Sequence, residues 1–247
     1  MTQWFETEVV ENRHWTGSLF SLRVAGAPLA FEAGQFVRIA LDIDGQRVAR
    51  AFSMVSAPGD PLLEFYGVVV PQGPLSPRLA RLQAKERLFV AANPAGFLVL
   101  SEVPDAGTLW LMATGTGIAP FISMLRADTP WQRFEEVVLV HAVRLAPELV
   151  YRDDVDRARA RHGPRFSYVP IVSREDAPNA LRGRIPALLT DGRLEGAAGL
   201  ELAPTGSQVM LCGNPDMLKD TTTALVARGL RKNRRRTPGQ ITVESFW

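Results

Sequence analysis

The chain has 247 residues, enough for one large domain or two ordinary ones, with 46% hydrophobic and 22% charged residues. This composition excludes a disordered chain, and the net charge of +2 excludes a strongly basic or acidic protein. No apolar stretch approaches the ~20 residues that a membrane-spanning helix needs, and the N-terminus lacks the basic start and apolar core of a signal peptide. A cytoplasmic location and no membrane partner are therefore expected.

The small net charge conceals a basic run at residues 228–236, which holds six basic and no acidic side chains. The rest of the chain is mildly acidic, with 22 basic against 26 acidic residues. The single cysteine, Cys212, excludes an internal disulfide. It also excludes a built-in iron–sulfur cluster, which needs about four protein ligands. No metal site is expected.

The first hundred residues read as short strands separated by turns. Alternating apolar residues mark strands at 20–24 and 37–41, and further strand-like runs lie at 47–54, 63–70 and 87–91. Asp44-Gly45 and residues 58–60 are turn signals. Strands at this spacing indicate an antiparallel barrel or sandwich.

The pattern changes near residue 104. Continuous apolar runs at 109–113, 137–142, 166–172 and 208–211 predict buried strands, each followed by a predicted helix. This alternation indicates a parallel sheet covered on both faces, with a domain boundary at residues 101–104.

Residues 50–53, Arg-Ala-Phe-Ser, close one predicted strand. Arginine offers a fixed fork of donors for phosphate oxygens, an aromatic ring can stack on a flat cofactor, and a serine can donate to a ring nitrogen. Alone, these residues are better explained by ordinary strand pairing. Further along, Ser76 and Pro77 suit the cap and first position of a helix over residues 77–83. The free N–H groups of that helix start could equally bind a phosphate.

Residues 114–120, Thr-Gly-Thr-Gly-Ile-Ala-Pro, follow a predicted strand and open a helix, which is the context of a nucleotide-binding loop. Pro120 stands where the dinucleotide fingerprint has its third glycine, so the segment is not an ordinary Rossmann signature.

Five segments, in this order along nearly the whole chain, resemble those of the ferredoxin–NADP⁺ reductase family, bacterial branch: residues 50–53, 73–76, 114–120, 212–217 and 244–247. Phe52 and Phe246 stand where tyrosine is common in that family, which keeps the ring and loses the hydroxyl. The resemblance implies two domains. Residues 1–101 would form an FAD-binding antiparallel β-barrel, and residues 102–247 an NADP(H)-binding α/β domain with a parallel sheet, whose aromatic tail returns to the flavin.

The resemblance also implies how FAD is held. Arg50 would pair with the diphosphate, Phe52 would pack on the isoalloxazine, and Ser53 would reach toward its N5 atom. Phe246 would cover the flavin face where nicotinamide arrives, and Trp247 would stack on the adenine. The other implied flavin contacts are Ala51, Tyr66, Val68, Val69, Leu75, Ser76 and Thr116.

The implied catalytic residues are Ser53, Cys212, Glu244 and Phe246. Cys212 would contact nicotinamide without acting as a nucleophile, although a lone cysteine is usually a small buried hydrophobe. Glu244 would stabilise charge or relay a proton; the alternative is a solvated carboxylate on an edge strand.

Specificity for the 2′-phosphate of NADP(H) is expected from Arg144, Arg174 and Arg184. The first two follow predicted strands and the third starts the next helical segment, so all three belong to loops over one sheet edge. Val143, Ser173, Cys212, Gly213 and Asp216 complete the expected NADP set.

The resemblance implies an FAD-dependent oxidoreductase that passes hydride between NADP(H) and flavin N5, and single electrons to ferredoxin or flavodoxin. The basic run at 228–236 could dock such an acidic carrier, or be a solvated helix end and loop. A monomer is expected. The alternatives are an NADPH-dependent reductase component of an oxygenase, a free-flavin reductase or an electron-transfer subunit. The mildly acidic body, without a basic face interleaved with aromatics, argues against a nucleic-acid-binding module.

Overall fold

The computed structural model describes residues 2–245, which form two six-stranded sheets. The first sheet contains β1 (Trp4–His14), β2 (Leu19–Ala25), β3 (Phe36–Ile43), β4 (Gln46–Ser53), β5 (Leu63–Val68) and β6 (Arg87–Ala91), with the one-turn helix α1 (Ser76–Leu79) before β6. Its order is β4-β3-β6-β1-β2-β5, and every ladder is antiparallel. The predicted antiparallel β architecture of the first half is confirmed.

A tight hairpin and a curled sheet explain this arrangement. Asp44 and Gly45 join β3 to β4 with φ values of 50° and 76°, the backbone that a two-residue hairpin turn requires. The edge strands β4 and β5 approach each other again at the isolated bridge between Met54 and Phe65. The sheet therefore curls into a half-barrel that remains open along the rest of this seam.

One strand of this half was not predicted, and two predictions need correction. β1 was missed because only two of its eleven residues, Thr7 and Val9, are buried, and Thr7 is polar. The run predicted to extend to residue 70 ends as a strand at Val68. The helix predicted over 77–83 is a single turn that already includes Ser76, whose hydroxyl accepts a 2.9 Å hydrogen bond from the Val70 N–H. Ser76 closes a loop in this way and does not cap the helix.

The second sheet is parallel throughout, with the order β10-β9-β8-β7-β11-β12. Its strands are β7 (Thr108–Thr114), β8 (Glu136–Val143), β9 (Phe166–Val172), β10 (Leu181–Arg182), β11 (Ser207–Gly213) and β12 (Ile241–Ser245). The intervening helices are α2 (Ala119–Arg126), α3 (Thr129–Arg133), α4 (Arg152–His162), α5 (Ile185–Thr190), α6 (Arg193–Ala198) and α7 (Pro215–Ala227).

Alternate residues of β7 belong to different apolar cores, which shows that helices cover both faces of this sheet. Leu109 and Leu111 pack with the core that includes α2 and α4, whereas Trp110 and Met112 pack with the core of α5 and α7. The predicted α/β second half is confirmed, although β10 and β12 were not predicted.

The segment between β6 and β7 contains the boundary predicted at residues 101–102, beside a short turn of 3₁₀ helix at Leu100–Glu102. Leu19 and Tyr66 of the first sheet share one apolar core with Leu109 of the second. The division into domains at this point stays a prediction. No described helix is both long and apolar enough to cross a bilayer.

Candidate functional site

A cleft of about 560 Å³ opens at the carboxyl ends of the parallel strands and reaches the first sheet. Ligands of parallel α/β sheets bind at this edge, because the loops there converge on one crevice. Most of the residues expected to bind NADP line the cleft, namely Val143, Arg144, Ser173, Arg174, Arg184, Gly213 and Asp216. Two expected flavin contacts, Val68 and Thr116, also line it.

The strand register brings the three arginines to this cleft. The N–H of Arg174 donates to the carbonyl of Arg144 at 3.0 Å, so the chain keeps its pairing beyond β8 and β9. Arg184 is the last residue before α5. In the described chain no carboxylate lies within ion-pair distance of these guanidinium groups, and the nearby Glu148 accepts from the backbone N–H of Arg144 at 2.9 Å. The three arginines are therefore without an ion pair in the described chain, and three carboxylates, those of Glu148, Asp216 and Asp220, line the same cleft.

The Gly-rich loop between β7 and α2 packs tightly on the end of β11. A Cβ added to Gly117 would lie 2.7 Å from the carbonyl carbon of Cys212, and one added to Gly213 would collide with the Thr114 hydroxyl. That hydroxyl accepts a 3.0 Å hydrogen bond from the N–H of Asn214. The Asn214 side chain in turn caps α7, because its Oδ1 accepts from the N–H of Asp216 at 2.9 Å. The glycines permit an approach that positions the floor of the cleft.

The residues expected to hold FAD lie on the two edge strands of the half-barrel. Arg50 and Phe52 are opposite Ile39 and Val37 in the ladder, so they share one face of β4. Ala51 and Ser53 are on the other face; Ala51 is exposed and Ser53 is buried. The remaining expected contacts are placed on or just after β5, where Tyr66 and Leu75 are buried and Val69 is half-buried.

Three buried polar atoms near this seam have no hydrogen-bond partner in the described chain: Ser53 Oγ, Tyr66 Oη and Glu244 Oε2. Such groups are costly unless a ligand or water satisfies them. Gly96 links two of them in space, since its added Cβ would lie 2.9 Å from Glu244 Oε1 and 3.0 Å from the ring of Phe36, the ladder partner of Ser53. Unsatisfied donors and acceptors beside half-buried aromatic surface fit a flat polar ring system such as a flavin.

Glu244 and Cys212 face each other across the ladder between β12 and β11. Burial raises the pKa of Glu244 to about 7, although the N–H groups of Phe97 and Leu98 oppose this shift. Burial, and then the charge of Glu244, raises the pKa of the Cys212 thiol well above its usual range. The thiol is therefore neutral at physiological pH and unsuited to act as a nucleophile.

Some of the expected residues are not brought together in the cleft. Cys212 is completely buried and does not line it. The other expected residues that do not line it are Arg50, Ala51, Phe52, Ser53, Tyr66, Val69, Leu75, Ser76 and Glu244. Phe246 and Trp247 lie outside the described residues. Sequence reasoning missed the apolar wall of the cleft, formed by Leu19, Ile185, Pro186 and Met217, for which the only signal was the helix start at Ile185-Pro186.

Comparisons with known proteins agree with this geometry. Residues 111–223 match the family model described as the oxidoreductase NAD-binding domain. The chain is 46% identical over 248 residues to the flavodoxin/ferredoxin–NADP reductase of Escherichia coli, with all of both chains covered. It is 35% identical to the ferredoxin–NADP reductase of Pseudomonas aeruginosa, covering 99% of this chain and 98% of that one.

Among solved structures, it matches a ferredoxin NADP⁺ reductase from Neisseria gonorrhoeae with bound FAD and NADP, at a TM-score of 0.95 and 34% identity over the whole of both chains. The seam, the cleft and these full-length similarities lead to one conclusion. The chain belongs to the flavodoxin/ferredoxin–NADP reductase family.

Proposed function

We propose that this reductase transfers electrons between NADP(H) and a flavodoxin or ferredoxin, using FAD held at the seam of the half-barrel and NADP(H) held in the cleft. The observation that carries the proposal is that the cleft and the seam of the half-barrel are continuous. Val68 and Thr116 line the cleft that contains the three arginines, and Val68 ends the strand that carries Tyr66. A nucleotide anchored on the arginines can thus extend toward the seam.

The residues that fit FAD at the seam are Arg50, Phe52, Ser53 and Tyr66. Arg50 is exposed at the edge strand, where its guanidinium can reach a diphosphate; Ser53 and Tyr66 each bring a hydroxyl without a partner in the described chain. When bound, FAD can take up two electrons as a hydride and release them one at a time. The chain supplies binding, orientation and the exclusion of water.

Glu244, with a pKa of about 7, can hold or release a proton beside the seam at physiological pH. Cys212 supports Glu244 from the neighbouring strand as a neutral, buried side chain. Phe246 keeps its proposed role of covering the flavin face until nicotinamide arrives, and Trp247 that of stacking on the adenine.

The arginine clamp sets the preference for NADPH over NADH. Each charge-assisted hydrogen bond to the 2′-phosphate contributes about 1.5–3 kcal/mol, so two of them favour NADPH by on the order of 10²–10⁴-fold in kcat/KM. Changing Arg174 and Arg184 to Ala should remove most of this preference by weakening NADPH alone. Steady-state reduction of ferricyanide with each nucleotide measures it.

A matched control for this experiment is Arg182→Ala, an exposed arginine two residues before Arg184 that pairs with Asp176 at 2.8 Å. The Arg182→Ala variant should prefer NADPH over NADH by the same factor in kcat/KM as the unchanged protein. Comparable kcat/KM for NADPH and NADH in the unchanged protein would overturn the clamp.

The carrier-docking surface in this proposal consists of Phe97 and the basic run at 228–236. Within the run, Arg228 pairs with Glu195 and Arg235 pairs with Glu102, whereas Arg231, Lys232, Arg234 and Arg236 are exposed without an ion pair among the described residues. Phe97 is 64% exposed, and the Arg235 guanidinium lies 4.7 Å from its ring centre. Arg234 and Arg236, which have no ion pair among the described residues, flank Arg235 in the chain, and an exposed aromatic near such positive charge fits an acidic protein partner. Phe97 also follows Gly96, which touches Glu244, so this surface adjoins the seam.

Salt tests the docking surface. Reduction of a ferredoxin or flavodoxin by NADPH should slow steeply as ionic strength rises, because exposed charges are screened, while reduction of ferricyanide changes little. Arg234→Ala with Arg236→Ala should raise the KM for the carrier and reduce this salt dependence. The control pair, Arg159→Ala with Arg161→Ala on α4, should not. Equal effects of both pairs would contradict the assignment.

Purified protein titrated with NADPH beside candidate ferredoxins and flavodoxins tests the whole proposal. A colourless protein that does not bind added FAD would overturn it. Neither an oxygenase reductase component nor a free-flavin reductase has better support, since the full-length relatives are named flavodoxin/ferredoxin–NADP or ferredoxin–NADP reductases. A monomer remains part of the proposal, to be measured by light scattering.

A further inference from the structure

A buried polar network crosses between the two sheets and is not used by the proposed chemistry. Glu64 of β5 accepts from the Arg126 guanidinium at the end of α2, with an Nη1–Oε2 distance of 2.8 Å. Arg126 also binds Asp154 of α4 through Nε at 2.7 Å and Nη2 at 3.2 Å. The side chains of Glu64 and Asp154 are almost completely buried, so each carboxylate needs a cationic partner. Arg126 serves both, and Arg157 also pairs with Asp154 at 2.7 Å.

Tyr151 completes the network in a strained conformation. Its hydroxyl donates to Glu64 Oε1 at 3.0 Å, and its side chain is buried. Its backbone is left-handed, with φ 59° and ψ 29°, immediately before α4. A bulky residue adopts this conformation only where its surroundings hold it there. Asparagine or glycine would fit the backbone better, so the tyrosine side chain must supply the compensating contacts.

One of those contacts is Tyr66. The two rings meet edge to face, with centroids 5.3 Å apart and planes at 86°. Tyr151 has a second ring neighbour, Trp15, and the centroids of these two rings are 5.0 Å apart. Among the residues that the structure describes, the Tyr66 hydroxyl is one of the three buried polar atoms near the seam that lack a partner. The strained residue therefore fixes the ring that carries an unsatisfied hydroxyl.

We propose that Tyr151 is a positioning residue, which holds the Tyr66 ring so that its hydroxyl is aimed at bound FAD, with the Glu64–Arg126–Asp154 network anchoring Tyr151 from both sheets. This inference rests on the proposed function in one respect, the placement of Tyr66 against FAD. Tyr151 itself touches no cofactor and acts only through Tyr66.

The test is a double-mutant cycle read by FAD retention. Holoenzyme variants are diluted, and the fluorescence of released FAD gives the dissociation constant. Tyr66→Phe, which removes one hydrogen bond, should weaken FAD binding about 3- to 10-fold. Tyr151→Leu should weaken it by a similar factor and alter the visible circular dichroism of the bound flavin. In the Tyr66→Phe background, Tyr151→Leu should change FAD binding less than about 2-fold.

The matched control is Tyr168→Leu, a largely buried tyrosine of β9 that packs on the same apolar core without belonging to the network. It should lower stability and leave FAD binding unchanged. If Tyr151→Leu does not fold, Tyr151→Phe keeps the ring, removes only the bond to Glu64, and should still loosen FAD by about 2- to 5-fold.

The outcomes separate the two proposals. Unchanged FAD binding in Tyr66→Phe would show that Tyr66 is not a flavin contact, which is a failure of the proposed function. Weaker binding in Tyr66→Phe but not in the Tyr151 variants would overturn the positioning role. Additive effects in the double variant would overturn it as well, because Tyr151 would then act by another route.

Discussion

At the scale of single residues, the site depends on polar side chains that the protein itself leaves unsatisfied. Ser53 and Tyr66 are buried and Glu244 is half-buried, yet each has a buried polar atom without a partner in the described chain. Glu244 shows the energetic consequence, since its pKa of about 7 means that burial favours the protonated carboxyl. This burial lowers folding stability and leaves a group that can bind a ligand or exchange a proton.

Glu244→Gln should change how stability depends on pH. The folded-state pKa is raised above that of the unfolded chain, so the stabilising protonation is complete below the ordinary value of 4.5 and is lost as pH rises to about 7. Between pH 4.5 and 8, the free energy of unfolding of the unchanged protein should therefore fall by about 1–2 kcal/mol relative to that of Glu244→Gln, after allowance for solvent screening. Urea unfolding at several pH values, with saturating FAD, measures this difference. Parallel curves for the two proteins would contradict it.

At the scale of elements, the loop between β7 and α2 is fitted to the end of β11 at backbone distance. Gly117 has no positive φ, and its requirement for glycine is purely steric, because an added Cβ meets the backbone of Cys212. The same loop supplies Thr114 and Thr116 to the cleft wall. Its position therefore determines the shape of the nucleotide site.

Gly117→Ala should weaken NADP⁺ binding and lower the urea midpoint, because forcing the loop away from β11 costs about 1–3 kcal/mol. Equilibrium titration with NADP⁺ and urea unfolding give the two effects. Gly196→Ala on α6 is the control, since open space surrounds that helical glycine. It should stabilise the protein by up to about 1 kcal/mol without affecting NADP⁺. Normal NADP⁺ affinity in Gly117→Ala would show that the loop can shift at no functional cost.

At the scale of the whole molecule, folding buries an imidazole in the centre of the parallel sheet. His141 of β8 is completely buried; its Nδ1 is 3.4 Å from the Tyr168 hydroxyl, and its Nε2 has no partner among the described residues. Burial, helped by the charge of Arg152, lowers its pKa to about 3. The folded protein keeps this histidine neutral under conditions in which the unfolded chain protonates it.

Global stability should therefore fall in mild acid. As pH drops below the ordinary pKa of 6.5, only the unfolded chain takes up this proton, which costs the folded state about 1.4 kcal/mol between pH 8 and 5.5. The His141→Leu variant should not show this part of the stability loss in acid. The comparison is made between the two proteins at the same pH values, since Glu244 contributes with the opposite sign in both. An equal loss of stability in both proteins would show that His141 is protonated in the folded state.

The sequence predicted what local patterns determine. The apolar run at 109–113 predicted a buried strand, Arg144 and Arg174 follow predicted strands whose carboxyl ends meet at one edge, and Arg184 starts the next helical segment. Their meeting in the cleft follows from that logic. The assignment of individual ligands to these residues stays a prediction, as do the roles of Phe246 and Trp247.

Part of what the sequence did not reveal depends on contacts between distant segments. Tyr151 and Glu64 are 87 positions apart, and nothing near either residue signals the other. β1 was missed because only two of its residues, Thr7 and Val9, are buried, and Ser76 because the Val70 N–H, six positions before it, donates to its hydroxyl. The bond between Tyr151 and Glu64 is thus the tertiary contact among these misses, and the other two are local.

The open seam between β4 and β5 has a consequence for handling the protein. An exposed strand edge with unpaired N–H and C=O groups is a template for pairing with another chain. If a cofactor shields this edge, preparations stripped of flavin should be the ones that aggregate and are cut by proteases at the exposed part of β4, near residues 50–52. The fraction of protein that stays in solution should then increase with the flavin absorbance of a purified batch.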